Sequence, residues 1–321
     1  MKKEREAEES SRTGIVRAIC ISERKGIQKH EVDYATFQPD YGIEGDAHAG
    51  RWHRQVSLLS DEKIQAFNEK GADVKPGAFG ENLVVSGFDF QKIPIGTRFG
   101  CGAVVLELTQ HGKECHSHCE IYKKMGECIM PTQGTFAEVI QGGTIHRGDI
   151  LEQLTQRDER YTAAVVTLSD SGVRGEREDK SGPLIADTLE KNGYRVVEQL
   201  LLPDQQKKIE QQLIRLADSR EVNLIITTGG TGFSQTDCTP EATLAVAQKN
   251  VPGIAEAIRN YSMTITKRAM LSREASVIRG NTLIINLPGS PKAVAECMDC
   301  FLDQLPHGLD ILTGKTGNCA R

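Results

Sequence analysis

The sequence predicts two domains of different fold class: a mostly β, barrel-like domain followed by an α/β domain. Its 321 residues are enough for two hydrophobic cores of ordinary size. The first half has short apolar runs separated by glycines, which is typical of short strands joined by turns. The second half alternates apolar runs with amphipathic segments. Such strand–helix repetition builds a parallel sheet with helices on both faces.

Composition narrows the function classes. A content of 38% hydrophobic and 5% aromatic residues is compatible with globular α/β packing and argues against disorder. The formal net charge of −5 offers no electrostatic surface for nucleic acid or an anionic membrane. No run is long enough to span a bilayer, and the start of the chain lacks an apolar export signal. The nine cysteines are therefore expected to be thiols in a reducing cytoplasm.

The domain boundary is predicted near residues 153–161, where the polar stretch LEQLTQRDERYT follows the last apolar pair of the first half. The expected domains are 1–156 and 161–321. In the first domain, strands are predicted for the runs GENLVVSG, GTRFGCGAVVLELTQ and GGTIHRGDILEQL. The run SDEKIQAFNEKG predicts a helix capped by Ser60. Many strands with one or two helices favour a barrel.

The second domain alternates regularly. Strands are predicted for AAVVTL, YRVVEQLLL, VNLIITT and TLIIN, and helices for SGPLIADTLEKNG and DQQKKIEQQLIRLADS. Because ligands of parallel sheets bind outside the carboxyl ends of the strands, function is expected in the segments that follow these strands.

A glycine-rich turn, TTGGTGFSQTDCTPEA, follows the strand VNLIITT. Gly229, Gly230 and Gly232 lack a Cβ, so their backbone N–H groups can form a cradle for an anion such as phosphate. Thr239 is expected to cap a helix whose first residue is Pro240. The alternative is an ordinary tight turn between a strand and a helix. The glycine spacing matches neither a Walker loop nor a dinucleotide-binding loop.

Acidic side chains stand next to this cradle. Asp237 would repel bound phosphates unless a divalent cation is shared between them, which is how magnesium is usually held. Asp204 follows the strand YRVVEQLLL and is a candidate second carboxylate. Taken alone, it is more often a helix N-cap. Two further rim segments follow strands. One carries Ser169, Asp170 and Ser171, and in the other Ser290 is expected to cap a helix whose first residue is Pro291.

These segments resemble a known family over residues 161–321. The motifs TLSDSGVRGEREDKSGP, LLPD, TTGGTGFSQTDCTPEAT and MLSREASVIRGNTLIINLPGSPKAVAEC look like the molybdopterin adenylyltransferase family, which includes the gephyrin G-domain. The resemblance implies a trimeric enzyme that uses Mg-ATP to adenylylate molybdopterin. Asp204 and Asp237 match the two essential acids, which would act in catalysis and hold magnesium. The ligand-binding positions it implies are Asp170, Ser181, Thr228, Gly229, Gly230, Thr231, Gly232 and Ser290.

One departure from the family pattern concerns the residues before Asp237. Such sequences usually carry an arginine there, whereas this one has Ser234, Gln235 and Thr236. A missing cation would weaken triphosphate binding.

The stretch GKECHSHCEIYKKMGEC is the chemical anomaly of the first domain. Three interpretations stay open: a zinc site, one reactive thiolate with structural neighbours, or reduced cysteines packed as small hydrophobes. The zinc spacing fits no structural template. The residues concerned are Cys115, His116, His118, Cys119 and Cys128.

The first half also resembles a known family, over residues 14–152. GIEGDAHAGRWHRQVSLLS, PGAFGENLVVSG, TQHGKECHSHCEI, CIMPTQGTFAEVIQGG and GDIL look like the MOSC domain, named for the C-terminal domain of molybdenum cofactor sulfurases. The resemblance implies a β-rich domain that carries sulfur or binds the molybdenum cofactor, with its signature cysteine at Cys115. Cys119 and Cys128 would be packed thiols or part of a disulfide or persulfide relay.

Both halves thus indicate an enzyme of molybdenum cofactor biosynthesis. The second domain would adenylylate molybdopterin with Mg²⁺ and ATP, while the first binds, carries or sulfurates the cofactor. The alternative is a non-catalytic molybdopterin carrier or sensor, and a third hypothesis makes the first half an unrelated zinc or redox module. The expected partners are a pterin and a nucleotide in a homo-oligomer, with a trimer favoured. No pyridoxal phosphate, nucleic acid or membrane is expected.

Overall fold

A computed structural model of the protein describes residues 12–112, 120–155 and 158–314. The chain divides into two units, the first ending at Asp158 and the second beginning at Glu159. Each unit has its own hydrophobic core.

The first unit is built mainly from strands. The strands are β1 (Thr13–Ile21), β2 (His30–Val32), β3 (Tyr34–Gln38), β4 (Gly42–Ile43), β5 (Val56–Ser60), β6 (Leu83–Ser86), β7 (Arg98–Cys101), β8 (Val104–His111), β9 (Thr135–Gln141), β10 (Gly143–His146) and β11 (Ile150–Gln153). The helices are α1 (Asp61–Glu69), α2 (Glu120–Met125) and α3 (Met130–Gln133).

Seven of these strands form a closed barrel, which confirms the predicted barrel-like fold. They pair in the order β11-β7-β8-β9-β5-β6-β1, and the pairing of β1 with β11 closes the ring. Alternate residues are buried over the first part of β1, from Thr13 to Ala18, as expected for a strand with one face on a core. The rings of Phe88, Phe90 and Phe99 fill the interior at centroid distances of 5.1–5.8 Å. Strand β8 ends at His111, just before residues 113–119. Cys115, His116, His118 and Cys119 therefore lie outside the described residues.

Helix α1 begins where the sequence predicts, but Ser60 does not cap it, so that expectation is wrong. The Ser60 hydroxyl donates instead to the backbone carbonyl of Phe88, and no side-chain capping bond is formed. Ser60 is the last residue of the buried strand β5, so its hydroxyl is used to satisfy a carbonyl group of the neighbouring loop.

Buried charges lie beside the barrel core. Lys29 donates to the Asp46 carboxylate at 2.5 Å, and both side chains are almost fully buried. Glu81 is also buried and accepts from the backbone N–H groups of Gly77 and Phe79. Burial raises the pKa of Glu81 to about 7. Since these backbone donors are held by a tight turn, Glu81 stabilises the turn at the cost of burying a carboxyl group.

The stability of the first unit should therefore depend on pH through Glu81. Its pKa is about 7 in the folded chain against an ordinary 4.5, so the stabilisation by this group is complete below pH 4.5 and is lost as the pH rises through 7. We expect the free energy of unfolding in urea to fall by about 3 kcal/mol between about pH 5 and about pH 8. The single tryptophan, Trp52, lies in this unit, and its fluorescence reports the transition.

Glu81→Gln should flatten this pH dependence, whatever it does to absolute stability. Glu274→Gln is the matched control, because burial raises the pKa of Glu274 to about 7 in the second unit. A Glu81→Gln variant that retained the parental slope would contradict the assignment.

The second unit alternates strands and helices. Its strands are β12 (Thr162–Leu168), β13 (Arg195–Leu202), β14 (Leu224–Thr228), β15 (Lys249–Asn250), β16 (Ser276–Arg279) and β17 (Thr282–Leu287). Its helices are α4 (Asp170–Val173), α5 (Ser181–Lys191), α6 (Gln206–Ile214), α7 (Thr239–Ala245), α8 (Pro252–Ile265), α9 (Pro291–Phe301) and α10 (Leu305–Leu312).

The six strands form one mixed sheet in the order β13-β12-β14-β17-β16-β15. The first four run parallel, and the last two are antiparallel to their neighbours. The α/β class is confirmed, while the edge departs from the expected all-parallel sheet. Only Gly280 and Asn281 join β16 to β17, and a two-residue connection can form only an antiparallel hairpin.

Helices cover both faces of this sheet. Ala163 and Val165 of β12 pack in one core cluster, and Ala164 and Val166 pack in the cluster on the opposite face. This double burial explains why the strand is a continuous apolar run. The carboxyl ends of β12, β13, β14 and β17 consequently lie along one edge of the sheet.

Candidate functional site

A cavity of about 750 Å³ opens at the carboxyl ends of the parallel strands. Segments that follow β12, β13, β14 and β17 all line it, as the strand order predicts. The residues proposed from the sequence that line it are Asp170, Ser181, Asp204, Thr228, Gly229, Gly230, Asp237 and Ser290. Thr231 and Gly232 continue the glycine turn but do not line the cavity wall. The structure therefore gives no support to a direct contact between these two residues and a ligand in the cavity.

The glycine turn needs its glycines for reasons of space. Gly229 and Gly230 have φ angles of +97° and +63°. A Cβ on Gly229 would lie 2.4 Å from the carbonyl oxygen of Leu168, and one on Gly230 would lie 2.4 Å from Thr239 Oγ1. The backbone of this turn is therefore bare where it borders the cavity.

Thr239 holds this turn and does not cap the following helix, which corrects the expectation from sequence. Its hydroxyl donates to the carbonyl of Gly229 at 2.9 Å, and its N–H donates to the carbonyl of Gly230. Helix α7 starts at Thr239 itself, with Cys238 preceding it and no side-chain cap. The fully buried hydroxyl is thus used to fix the turn.

The carboxylates of Asp170, Asp204 and Asp237 all line the cavity. Asp170 N donates to Asp204 Oδ2, and Asp204 N donates to Asp170 Oδ1, both at 3.1 Å. The other carboxylate oxygen, Asp204 Oδ1, is buried without a hydrogen-bond partner and lies 2.9 Å from where a Gly230 Cβ would be. Asp237 Oδ2 lies 2.9 Å from the corresponding point on Gly232. The two acids proposed from the sequence thus flank one glycine turn.

The electrostatics of this cluster favour a cation. Burial raises the pKa of Asp204, and the nearby charges of Asp170 and Asp237 raise it further. Asp204 does not cap helix α6, which begins at Gln206 after Gln205, so the helix N-cap interpretation is wrong. A buried carboxylate oxygen with no donor is a suitable ligand for a hard cation.

Magnesium fits these residues only together with phosphate oxygens. No group of three metal-ligating side chains is found among the described residues. Magnesium usually takes one or two protein carboxylates and completes its shell with substrate phosphates and water. Asp204 and Asp237 can supply that number of ligands.

The hydroxyl groups of the site hold its loops. Ser181 Oγ donates to the carbonyl of Gly289 at 2.9 Å, and Thr228 Oγ1 donates to the carbonyl of Pro288 at 2.7 Å. Ser290 Oγ accepts from the N–H of Ala293, so it caps helix α9 as expected. These bonds join the segments after β12, β14 and β17 around the cavity.

Sequence reasoning missed the cations of this cavity, which come from the segment between α4 and α5. Arg174, Arg177 and Lys180 all line the cavity. Arg174 is paired with Glu176, and Lys180 lies 3.9 Å from Glu178. Among the described residues no ion pair involves Arg177, whose side chain is exposed. The signal was the charged run RGEREDK directly after a rim segment.

This fold and site define an α/β protein with a cavity at the carboxyl ends of its parallel strands, lined by a glycine turn and by Asp204 and Asp237. Residues 164–307 match the family described as "Probable molybdopterin binding domain". Residues 45–152 match the MOSC domain. The chain belongs to the molybdopterin-binding domain family through its second unit and carries a MOSC domain in its first.

Individual relatives match the second half of the chain. A molybdopterin adenylyltransferase from Helicobacter pylori is 38% identical over 153 residues, which is 47% of this chain and 87% of the relative. A molybdopterin adenylyltransferase from Escherichia coli K12 is 41% identical, over 43% of this chain and 72% of the relative. The crystal structure of the molybdopterin biosynthesis enzyme MoaB from Thermus thermophilus is 41% identical and covers 48% of this chain and 97% of its own, with a TM-score of 0.46.

The described helices include none that is both long and apolar enough to cross a bilayer.

Proposed function

We propose that the second unit is a molybdopterin adenylyltransferase that acts in molybdenum cofactor biosynthesis. One observation supports this proposal most directly. Asp204 Oδ1 is buried without a hydrogen-bond partner, and it lies with Asp237 next to the glycine turn, where Gly229 and Gly230 have no side chains. The relatives from Helicobacter pylori and Escherichia coli bear this activity in their names and match most of their own length to this unit.

The reaction would be a nucleotidyl transfer. A phosphate oxygen of molybdopterin forms a bond to the α-phosphorus of ATP, and the bond to the β-phosphate oxygen breaks, releasing pyrophosphate. Magnesium bound by Asp204 and Asp237 would offset negative charge on the phosphates. The backbone N–H group of Gly230 would orient one phosphate, whereas that of Gly229 donates to the carbonyl of Leu287. Positioning and charge neutralisation carry most of the rate in such transfers.

The first unit would bind, carry or sulfurate the cofactor, with Cys115 as the sulfur-bearing residue. Its match to the MOSC domain supports this proposal. Fusion of the two units in one chain raises the effective concentration of each toward the other. We further propose a cytoplasmic homotrimer whose ligands are the pterin and the nucleotide.

Pyrophosphate release tests the proposed activity. The full chain, supplied with molybdopterin, ATP and Mg²⁺, should release pyrophosphate in proportion to the adenylylated pterin formed. Chelation of Mg²⁺ should stop the release. Tight pterin binding without pyrophosphate would favour the alternative of a non-catalytic carrier or sensor.

Arg177 should contribute to ATP binding, because it lines the cavity and forms no ion pair with any residue that the structure describes. We expect Arg177→Gln to raise the KM for ATP about tenfold and to change kcat less than about threefold, since one charge-assisted hydrogen bond contributes about 1.5 kcal/mol. Steady-state kinetics of pyrophosphate release measure both constants.

Arg268→Gln is the control for Arg177. Arg268 is also exposed and lies outside the cavity lining. Equal KM values for the Arg177 and Arg268 variants would exclude a specific role for Arg177.

A further inference from the structure

The loop that carries Asp237 is exposed, and its internal hydrogen bonds join Ser234 to Thr236 and to Asp237. Residues 233–236 are exposed, and Phe233 has 71% of its surface accessible. The Asp237 carboxylate accepts a hydrogen bond from Ser234 N at 3.2 Å, within the same loop. A carboxylate on such a loop would lose its geometry unless another part of the chain held it.

Arg273 holds this loop from a segment that follows helix α8. Its Nε donates to the carbonyl of Gly232 at 2.6 Å, and a terminal nitrogen donates to the carbonyl of Asp237 at 3.0 Å. The other terminal nitrogen forms an ion pair with Glu241 at the start of α7. One planar guanidinium therefore spans both ends of the loop, and the fixed geometry of its five donors suits this task.

The segment that carries Arg273 is itself anchored in the core. Arg273 N donates to the carbonyl of Thr231 at 3.0 Å. Two residues later, Ala275 forms two hydrogen bonds with Asn286: its N–H donates to the side-chain Oδ1, and its carbonyl accepts from the backbone N–H of Asn286. Asn286 is fully buried and donates through Nδ2 to Thr227 Oγ1, on the strand that leads into the glycine turn.

We propose that Arg273 is a positioning residue that sets the place of Asp237 relative to the glycine turn. This inference rests on the proposed function, because it assigns Arg273 a part in presenting Asp237 to the metal–nucleotide complex. The guanidinium binds backbone carbonyls and Glu241 and leaves the Asp237 carboxylate free for a cation. It supports the loop in a sequence that lacks a cation at residues 234–236.

The test compares variants of the full chain by two measurements, Mn²⁺ binding in the presence of ATP by electron paramagnetic resonance, and pyrophosphate release. We expect Arg273→Gln to weaken Mn²⁺ binding about tenfold and to lower kcat/KM about a hundredfold, the range seen when a group behind a metal ligand is removed. Arg273→Lys keeps the charge but cannot span both carbonyls, so its kcat/KM should exceed that of Arg273→Gln by less than about tenfold.

Arg279→Gln is the matched control. Arg279 makes a comparable set of bonds, to Asp218 and to the carbonyl of Val246, at the other end of β16. Its loss should lower thermal stability by a similar amount without changing Mn²⁺ binding. Equal effects of the two substitutions on Mn²⁺ binding would overturn the proposal, as would parental kinetics in Arg273→Gln.

The two measurements separate this inference from the proposed function. If the parent binds Mn²⁺–ATP without releasing pyrophosphate, the enzymatic activity is refuted, and the binding comparison alone still decides the role of Arg273. If Arg273→Gln does not fold, Arg273→Lys decides it: parental Mn²⁺ binding in a folded Arg273→Lys chain overturns the proposal. A parent that neither binds Mn²⁺–ATP nor releases pyrophosphate overturns both.

Discussion

Replacing Asp237 with asparagine is expected to lower the rate of pyrophosphate release about a thousandfold, because removal of the proposed metal ligand costs about 4 kcal/mol of transition-state stabilisation. The substitution preserves side-chain size and removes the negative charge. Asp237 and Asp204 line the same cavity, and the charge of Asp237 contributes to the raised pKa of Asp204. The measurement is kcat for pyrophosphate release at saturating ATP and Mg²⁺.

A second readout makes this prediction independent of turnover. Asp237→Asn should also weaken Mn²⁺ binding in the presence of ATP, as followed by electron paramagnetic resonance. Asp218→Asn is the matched control, since Asp218 is an aspartate of the same unit that pairs with Arg279 and does not line the cavity. An Asp237→Asn chain that kept more than about a tenth of the parental rate would refute the assignment of Asp237 as an essential acid.

Replacing Gly229 with alanine should destabilise the second unit by about 3 kcal/mol and abolish nucleotide binding. The added Cβ would lie 2.4 Å from the Leu168 carbonyl oxygen, and the φ of +97° is strained for any residue with a Cβ. Because Leu168 is the last residue of β12, the clash displaces one of the central strands of the sheet. Urea unfolding followed by far-UV circular dichroism measures the stability, and calorimetric titration with ATP and Mg²⁺ measures binding.

Gly280→Ala separates the two causes of this loss. Gly280 also has a positive φ, +55°, but no atom lies within 4 Å of the added Cβ. Its substitution should cost only about 1 kcal/mol, the price of a left-handed backbone without a clash. Equal losses of stability in Gly229→Ala and Gly280→Ala would mean that the close packing of the turn against Leu168 does not contribute to the free energy of unfolding.

Local patterns were sufficient to predict most elements. The run DQQKKIEQQLIRLADS predicts a helix with Ile209, Leu213 and Leu216 on one side. Helix α6 forms within this run, and all three side chains are buried. Helix α9 was predicted to start after Ser290, whose side chain does accept the capping bond from Ala293. Both signals act within a few residues of the chain, so they are present in the sequence whatever the rest of the fold does.

Predictions that required knowledge of distant neighbours were the ones that failed. Ser60 and Thr239 have the right chemistry for caps, yet each hydroxyl donates to a carbonyl that folding brings to it, of Phe88 and Gly229 respectively. A cap gains one hydrogen bond, whereas a buried carbonyl left without a donor costs more. The tertiary environment therefore outweighed the local preference.

The residues of the site also fall into those that the sequence predicts and those that it does not. The strand order places Asp204 and Asp237 at one sheet edge, and this could be inferred from their positions after two strands. The contribution of Arg273 could not be inferred, because it lies 36 residues beyond Asp237 and reaches the loop only through the packing of Asn286 and Ala275.

The sequence by itself determined the two fold classes, the order of strands and helices, and the family to which the second unit belongs. These follow from periodicity, turn residues and contiguous motifs, all of which are short-range properties of the chain. Only the tertiary structure decided which hydrogen-bond donor pairs with which acceptor. Hydrogen-bond partners such as Arg273 and Asp237 are selected by distance in space, and burial makes an unpaired group costly enough to enforce that choice.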